Sequence, residues 1–339
     1  MSEIRTFIEE EIAKPYPAEI DLLVQAILER SVNKGGVVAV LLYGSGLWQD
    51  PDKAGDDVMW DLHVLVDGYG DFDHSWLFAA AGNILPHNVL YIETQRDQGQ
   101  VIKDGDSASV LRCKYNVMRM SQFQKHASGR CFTPQVWARF CQPCRLVYAR
   151  DNNARAGVVS AVLGCIRTFL RQSMPFVDGR LVSWDDIWVA GFTQTYRDEL
   201  RSESKNRPEQ FIDASQDYFK RVLFLSILNR TVAARVNNLA DDGSLDDEGD
   251  IDVVRFTYPL KQLSKARFRR NFLRPFRKFV AFARLAKALF TFENAVDYAL
   301  WKIERHSGQK IILTKLQRRF PLIYGWPVIF SLYRRNILK

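Results

Sequence analysis

The chain lacks any apolar run long enough to cross a bilayer. Although 339 residues long and 47% hydrophobic, it never strings together the roughly 20 consecutive apolar residues that a spanning helix needs. The closest stretch, FPLIYGWPVIFSLY at 320–333, is uncharged but short, and Pro321 and Pro327 interrupt it. Arg318, Arg319, Arg334 and Arg335 flank it, a pattern that suits a segment lying among lipid headgroups or a buried connection with charged ends. Cysteine is scarce and odd in number: Cys113, Cys131, Cys141, Cys144 and Cys165 argue against a disulfide framework and for a reducing compartment. A Cys₃His zinc set from Cys131, Cys141, Cys144 and His126 would lack the second close pair usual in structural zinc sites. The five histidines are scattered, so they assign no Ser-His-Asp arrangement. No complete phosphate loop or dinucleotide fingerprint is present. The opening MSEIRTFIEEEIAKPYP is rich in glutamate, unlike a secretory signal or an arginine-rich transit peptide, so the cytoplasm is the expected location.

Acid is missing from one end. Residues 255–339 carry 20 Lys or Arg against three acids, Glu293, Asp297 and Glu304, while the rest holds 27 basic and 36 acidic residues. An acidic body joined to a basic surface points to an anionic partner, nucleic acid or membrane. NNLADDGSLDDEGDID at 237–252 separates the two, and its composition marks a solvated loop or boundary.

The periodicities predict an α+β chain. Residues 1–31 read as helical. VVAVLLYG is a buried strand. MWDLHVLVD alternates, so Asp61 and His63 share a face. A short helix over DHSWLFAAAGNIL and the strands NVLYIE and VLRCKYNVM follow, the last with Arg112, Lys114 and Asn116 on one face. This gives a small mixed sheet with flanking helices over 1–150, a helical domain over 151–240 and a basic amphipathic region over 255–339. SWDD at 183–186 has the form of a capping box. RPFRKFVAFARLAKALF at 274–290 reads as a basic amphipathic helix with Pro275 in its first turn.

A buried strand that ends in Tyr43-Gly44-Ser45-Gly46 and passes into a short helix offers backbone N–H groups and the positive end of a helix dipole, and glycine admits a phosphate closely. The next strand then delivers Asp61 fifteen residues later. This order resembles the polymerase-β-like nucleotidyltransferases, which implies that the Gly-Ser turn holds a triphosphate and that strand carboxylates hold Mg²⁺. The usual second carboxylate is replaced by His63, a poor magnesium ligand and better read as a polar residue lining a cleft.

VLLYGSG, WDLHVLVD, SWLFAAAGNILPHNVLYIE, CKYNVMRMSQF and RFCQPCRLVYA together are similar to the mitochondrial-type phosphatidate cytidylyltransferases (the mitochondrial translocator assembly and maintenance family), over about residues 37–205. Tyr43, Gly44, Ser45 and Gly46, then Asp61, then Lys114 with Tyr115, match that family's turn, single aspartate and Lys-Tyr pair. Gln142-Pro143 departs from its Lys-Pro element. TYRDELRSESKNR resembles its arginine-rich element, which implies a phosphate role for Arg201.

The resemblance implies a CTP:phosphatidate cytidylyltransferase that makes CDP-diacylglycerol and pyrophosphate with Mg²⁺. Asp61 and Lys114 would be catalytic, with Glu93 as a second metal carboxylate beside the Asp61 strand. Arg112, Tyr115 and Arg201 would meet substrate phosphate. A phosphate acceptor is already ionised near neutral pH, so one aspartate without a general base is chemically sufficient. The basic region would hold the enzyme peripherally on the inner face of an anionic membrane, and no nucleic acid is expected as a partner. Two rivals remain: a nucleotidyltransferase acting on RNA or another hydroxyl acceptor, and a catalytically inactive nucleotidyltransferase-fold membrane scaffold.

Overall fold

A computed structural model of the chain describes residues 2–47, 58–95, 110–131, 133–177, 181–198, 207–228, 235–237, 253–257, 268, 271–281, 283, 284, 287, 313, 314 and 317. Arg201 and the 320–333 segment lie outside the described residues, as do most positions beyond 257.

The amino-terminal helical stretch is two helices, α1 (Glu3–Ile12) and α2 (Glu19–Arg30). Pro15 and Pro17 fall between them, where a proline ring cannot continue a helix. Then come β1 (Val37–Tyr43), β2 (Met59–Val66), the short α3 (Tyr69–Phe72), α4 (Trp76–Ile84), β3 (Asn88–Gln95) and β4 (Val110–Arg119). They are followed by α5 (Met120–Ala127), α6 (Trp137–Phe140) and β5 (Arg145–Ala149).

These five strands form one mixed sheet in the order β3-β4-β2-β1-β5. β2 and β4 run parallel, and the other neighbours are antiparallel. β1 is buried at every position, as a continuous β-branched apolar run covered on both faces should be. One face, through Val40, Leu42, Leu62, Val64, Cys113, Tyr115 and Val117, packs with Ile20, Leu23 and Ile27 of α2. The other, through Ala39, Leu41, Tyr43, Leu65 and Met118, shares a core with α5, α6 and the long helix α7 (Asn152–Ser173).

α7 is capped by Asp151, whose side chain accepts from Ala154 N at 2.7 Å, a standard N-cap bond. After it come β6 (Leu181–Ser183), α8 (Asp186–Asp198), α9 (Arg207–Asp213), α10 (Gln216–Leu228), β7 (Arg235–Asn237) and β8 (Val253–Thr257). Ser183 N donates to Asp186 Oδ2 at 2.9 Å, but α8 begins at Asp186 and Ser183 ends β6, so the capping box expected at SWDD does not form. The helices beyond residue 151 bury Phe169, Trp188, Phe192 and Phe219 in the same cluster that covers the sheet. A smaller sheet, β6-β8-β7, brings 253–257 between two strands of the helical region.

Candidate functional site

The register across the sheet sets out the site. Tyr43 pairs with Asp61, Asp61 with Lys114, and Lys114 with Tyr91. Paired residues project to the same face, so these four side chains form a row across four strands. One step toward the sheet's end lies a second row, Met59, Arg112 and Glu93. One step inward lies a third, Leu41, His63 and Asn116.

Gly44 follows Tyr43 with φ +92°, the left-handed region that glycine enters at no steric cost. It also lies against the aspartate, because a Cβ at Gly44 would stand 3.0 Å from Asp61 Oδ2. Ser45 is exposed and starts a single 3₁₀ turn, Ser45–Leu47, closed by Leu47 N donating to Gly44 O at 3.2 Å. The helix expected after the turn is therefore only this turn within the described residues, and the close backbone approach, not a helix dipole, is what the stretch offers a phosphate. A Cβ at Gly46 would stand 2.7 Å from the Trp60 ring, which ties the turn to the sheet's other face.

Tyr43 is buried, and its side chain helps to fix the turn. Its hydroxyl accepts from Asn116 Nδ2 at 2.7 Å, and the Arg139 guanidinium lies 5.2 Å above its ring. The sequence reading missed both partners. Asn116 was legible as one of three polar positions on a strand face, whereas Arg139 comes from the separate helix α6 and nothing local marks it.

Three expectations need correction. Tyr115 does not join Lys114, because successive strand residues face opposite ways; it is fully buried in the α2-side core. β3 is not beside the Asp61 strand, since β4 lies between them. Glu93 thus stands two strands from Asp61, with Arg112 and Lys114 in the intervening strand. It pairs with Arg112 Nε at 3.4 Å and accepts a hydrogen bond from Tyr91 Oη. That bond, with burial the larger cause, pushes the Tyr91 phenol well above its usual range.

His63 does not line a cleft. It is fully buried among Tyr43, His87, Phe123 and Phe140, with ring centroids 5.1 to 6.3 Å away. Burial, then the charges of Arg139 and His126, pull its pKa down to about 3. Neither ring nitrogen has a hydrogen-bond partner, so His63 is a neutral core residue. His87 and His126 extend the cluster at 5.6 and 6.2 Å between successive rings. Among the described residues, no group of three His, Cys, Asp or Glu is placed to hold a metal ion. Cys141 and Cys144, weighed above for zinc, are buried thiols in the α7-side core.

The described basic residues from 271 to 287 are helical; Arg277 is buried, and Arg284 and Lys287 reach the body. Arg284 donates to Thr133 Oγ1 at 3.3 Å and to Gln135 Oε1; Lys287 donates to Asn88 Oδ1 at 2.9 Å and to Leu85 O. The site face therefore carries one aspartate against a glycine turn, a lysine across from it, and an arginine–glutamate pair at its edge. Such a face can receive a polyphosphate through backbone and cations, with one carboxylate for a hard cation. Compared with protein-family models and with curated proteins, the chain matches none.

Proposed function

We propose that the chain is a CTP:phosphatidate cytidylyltransferase of the nucleotidyltransferase type. The observation that carries this reading is the contact between the left-handed Gly44 and Asp61, with Lys114 as the cross-strand partner of Asp61. A phosphate seated on the Gly44 turn would lie between one carboxylate and one ammonium, the charge pattern phosphoryl transfer uses.

In the reaction an oxygen of the acceptor phosphate attacks the α-phosphorus of CTP. The new P–O bond completes the anhydride of CDP-diacylglycerol, and the α–β bridge breaks to release pyrophosphate. The acceptor's second pKa is about 6, so it attacks as an anion and no side chain need remove a proton. Lys114 offsets charge on the phosphates, and Arg112, oriented by Glu93, adds a cation at the rim. Asp61 with the substrate's own phosphate oxygens fits Mg²⁺, which often takes one or two protein carboxylates. When bound, that ion neutralises phosphate charge.

The acceptor is a membrane lipid, and 20 cations against three acids over 255–339 support a peripheral association. Among the described residues no helix is long and apolar enough to cross a membrane. The test is purified protein with Mg²⁺, labelled CTP and phosphatidate vesicles, following label into lipid and release of pyrophosphate, with Asp61→Ala as control. Label in lipid that vanishes in the variant sustains the reading. One observation favours the inactive scaffold instead: His63, a buried neutral ring, occupies the position of the usual second carboxylate. Failure to bind CTP would decide for it.

A further inference from the structure

α4 is a nine-residue helix, WLFAAAGNI, without a charged side chain. Its inner side is fixed: Phe78 is buried, and Gly82 lies against the Tyr69 ring, whose hydroxyl donates to Gly82 O at 3.0 Å. Its outer side should be polar by the usual amphipathic pattern. Instead it presents Trp76, Leu77 and Ile84 at 74%, 60% and 83% exposure.

A second apolar stripe lies on the basic helical segment. Phe268, Phe272, Phe276 and Phe279 follow spacings of four, four and three, which is one helix face, and all four are exposed. Arg274 and Lys278, also exposed, stand among them. Seven of the nine large apolar side chains exposed in the described residues belong to these two elements, so the exposure is concentrated. Lys287 joins them: its ammonium donates to Leu85 O, one residue past Ile84.

The geometry points to α4 as a second bilayer-contact element, inserting Trp76, Leu77 and Ile84 beside the basic segment so that the sheet domain itself sits on an anionic lipid surface. This rests on the reading of a membrane-borne acceptor. Charge complementarity selects the occupant: the cations of the segment suit phosphate headgroups, and an indole beside aliphatic side chains suits the interface beneath them. Isolated exposed apolar residues need no explanation, whereas an uncharged helix face beside a basic apolar one does.

The experiment uses the full chain and sedimentation with vesicles of phosphatidylcholine and phosphatidate. Leu77→Asp/Ile84→Asp should lower the partition coefficient at least tenfold with an unchanged thermal unfolding midpoint, since two apolar side chains leave the interface. A fluorophore on Ile84→Cys should shift to the blue on vesicle addition. Phe272→Ser/Phe279→Ser separates the two ideas. If that pair abolishes binding while the α4 pair binds as wild type and the fluorophore does not shift, the inference is overturned and the membrane reading stands. If wild-type protein does not bind vesicles, both fail. If the α4 pair keeps vesicle binding but turns a dimer into a monomer, the face belongs to a second copy and the inference is likewise overturned.

Discussion

Gly44 and Asp61 approach so closely that the smallest side chain at Gly44 would press on the aspartate, its Cβ 3.0 Å from Oδ2. Two demands meet there, a left-handed backbone and an unobstructed carboxylate. Gly44→Ala should therefore cost about 1–2 kcal/mol of stability through its φ of +92° and displace Asp61. CTP affinity should fall more than tenfold. Denaturant unfolding and titration calorimetry of the same variant separate the two effects. An alanine variant that binds CTP as wild type would remove Gly44 from the site.

Glu93 and Asp61 are expected to behave differently. Glu93 is exposed and occupied by Arg112 and Tyr91, so Glu93→Gln should alter CTP affinity about threefold at most, in the range of an exposed ion pair. Asp61→Asn should lose at least a hundredfold in turnover, as expected when charge complementary to the transition state is removed. Steady-state kinetics of both variants checks this: a turnover loss of about a hundredfold in Glu93→Gln as well would restore Glu93 as a partner of Asp61 on the metal.

The alternation of MWDLHVLVD put Asp61 and His63 on one face of their strand, and that of VLRCKYNVM put Arg112, Lys114 and Asn116 on one face of theirs, because period-2 patterning is local. That the two sets share a sheet face comes from the β2–β4 register. Strand order is not local. β4 enters between β2 and β3 through pairings that no short window contains, so Glu93 read as Asp61's neighbour when it is two strands away. His63 misled for a related reason. Its alternation correctly gave the face, but the burial that makes it a core residue comes from Phe123 of α5 and Phe140 of α6. The cluster with His87 and His126 joins three separate elements and has no signature in sequence. Tyr115 shows the limit of carrying a motif pair as a unit, since adjacent strand residues face opposite sides.

His63 should make the protein acid-labile. Its folded pKa of about 3 lies below the ordinary 6.5, so the unfolded chain binds the proton first. This contribution to stability is complete above about pH 6.5 and is lost as pH falls toward 3. His126, pulled down to about 4, and His87 act with the same sign. At about 1.4 kcal/mol per unit, the loss from His63 reaches several kcal/mol. His63→Phe should flatten this acid limb and should leave stability at pH 8 unchanged or raised, because it removes two unpartnered buried nitrogens. Urea unfolding at pH 5 and pH 8 tests both. A variant as acid-sensitive as wild type would assign the limb elsewhere.

Lys287 titrates in the same direction over a higher window. Burial, with the charge of Arg284 second, lowers its pKa to about 7, below the ordinary value of about 10.4. Between these values the undocked chain holds more protons than the docked one, so the contact with Leu85 and Asn88 strengthens as pH rises from about 7 to about 10. The neutral amine still donates a hydrogen bond to each oxygen, and deprotonation relieves its repulsion from Arg284. Proteolysis within the basic segment should therefore be slower at pH 9 than at pH 6.5, after correction for the protease's own pH dependence. Lys287→Met keeps the apolar stem and loses the titration, and it should cut equally fast at both pH values. The same pH dependence in wild type and variant would mean that another group controls the docking.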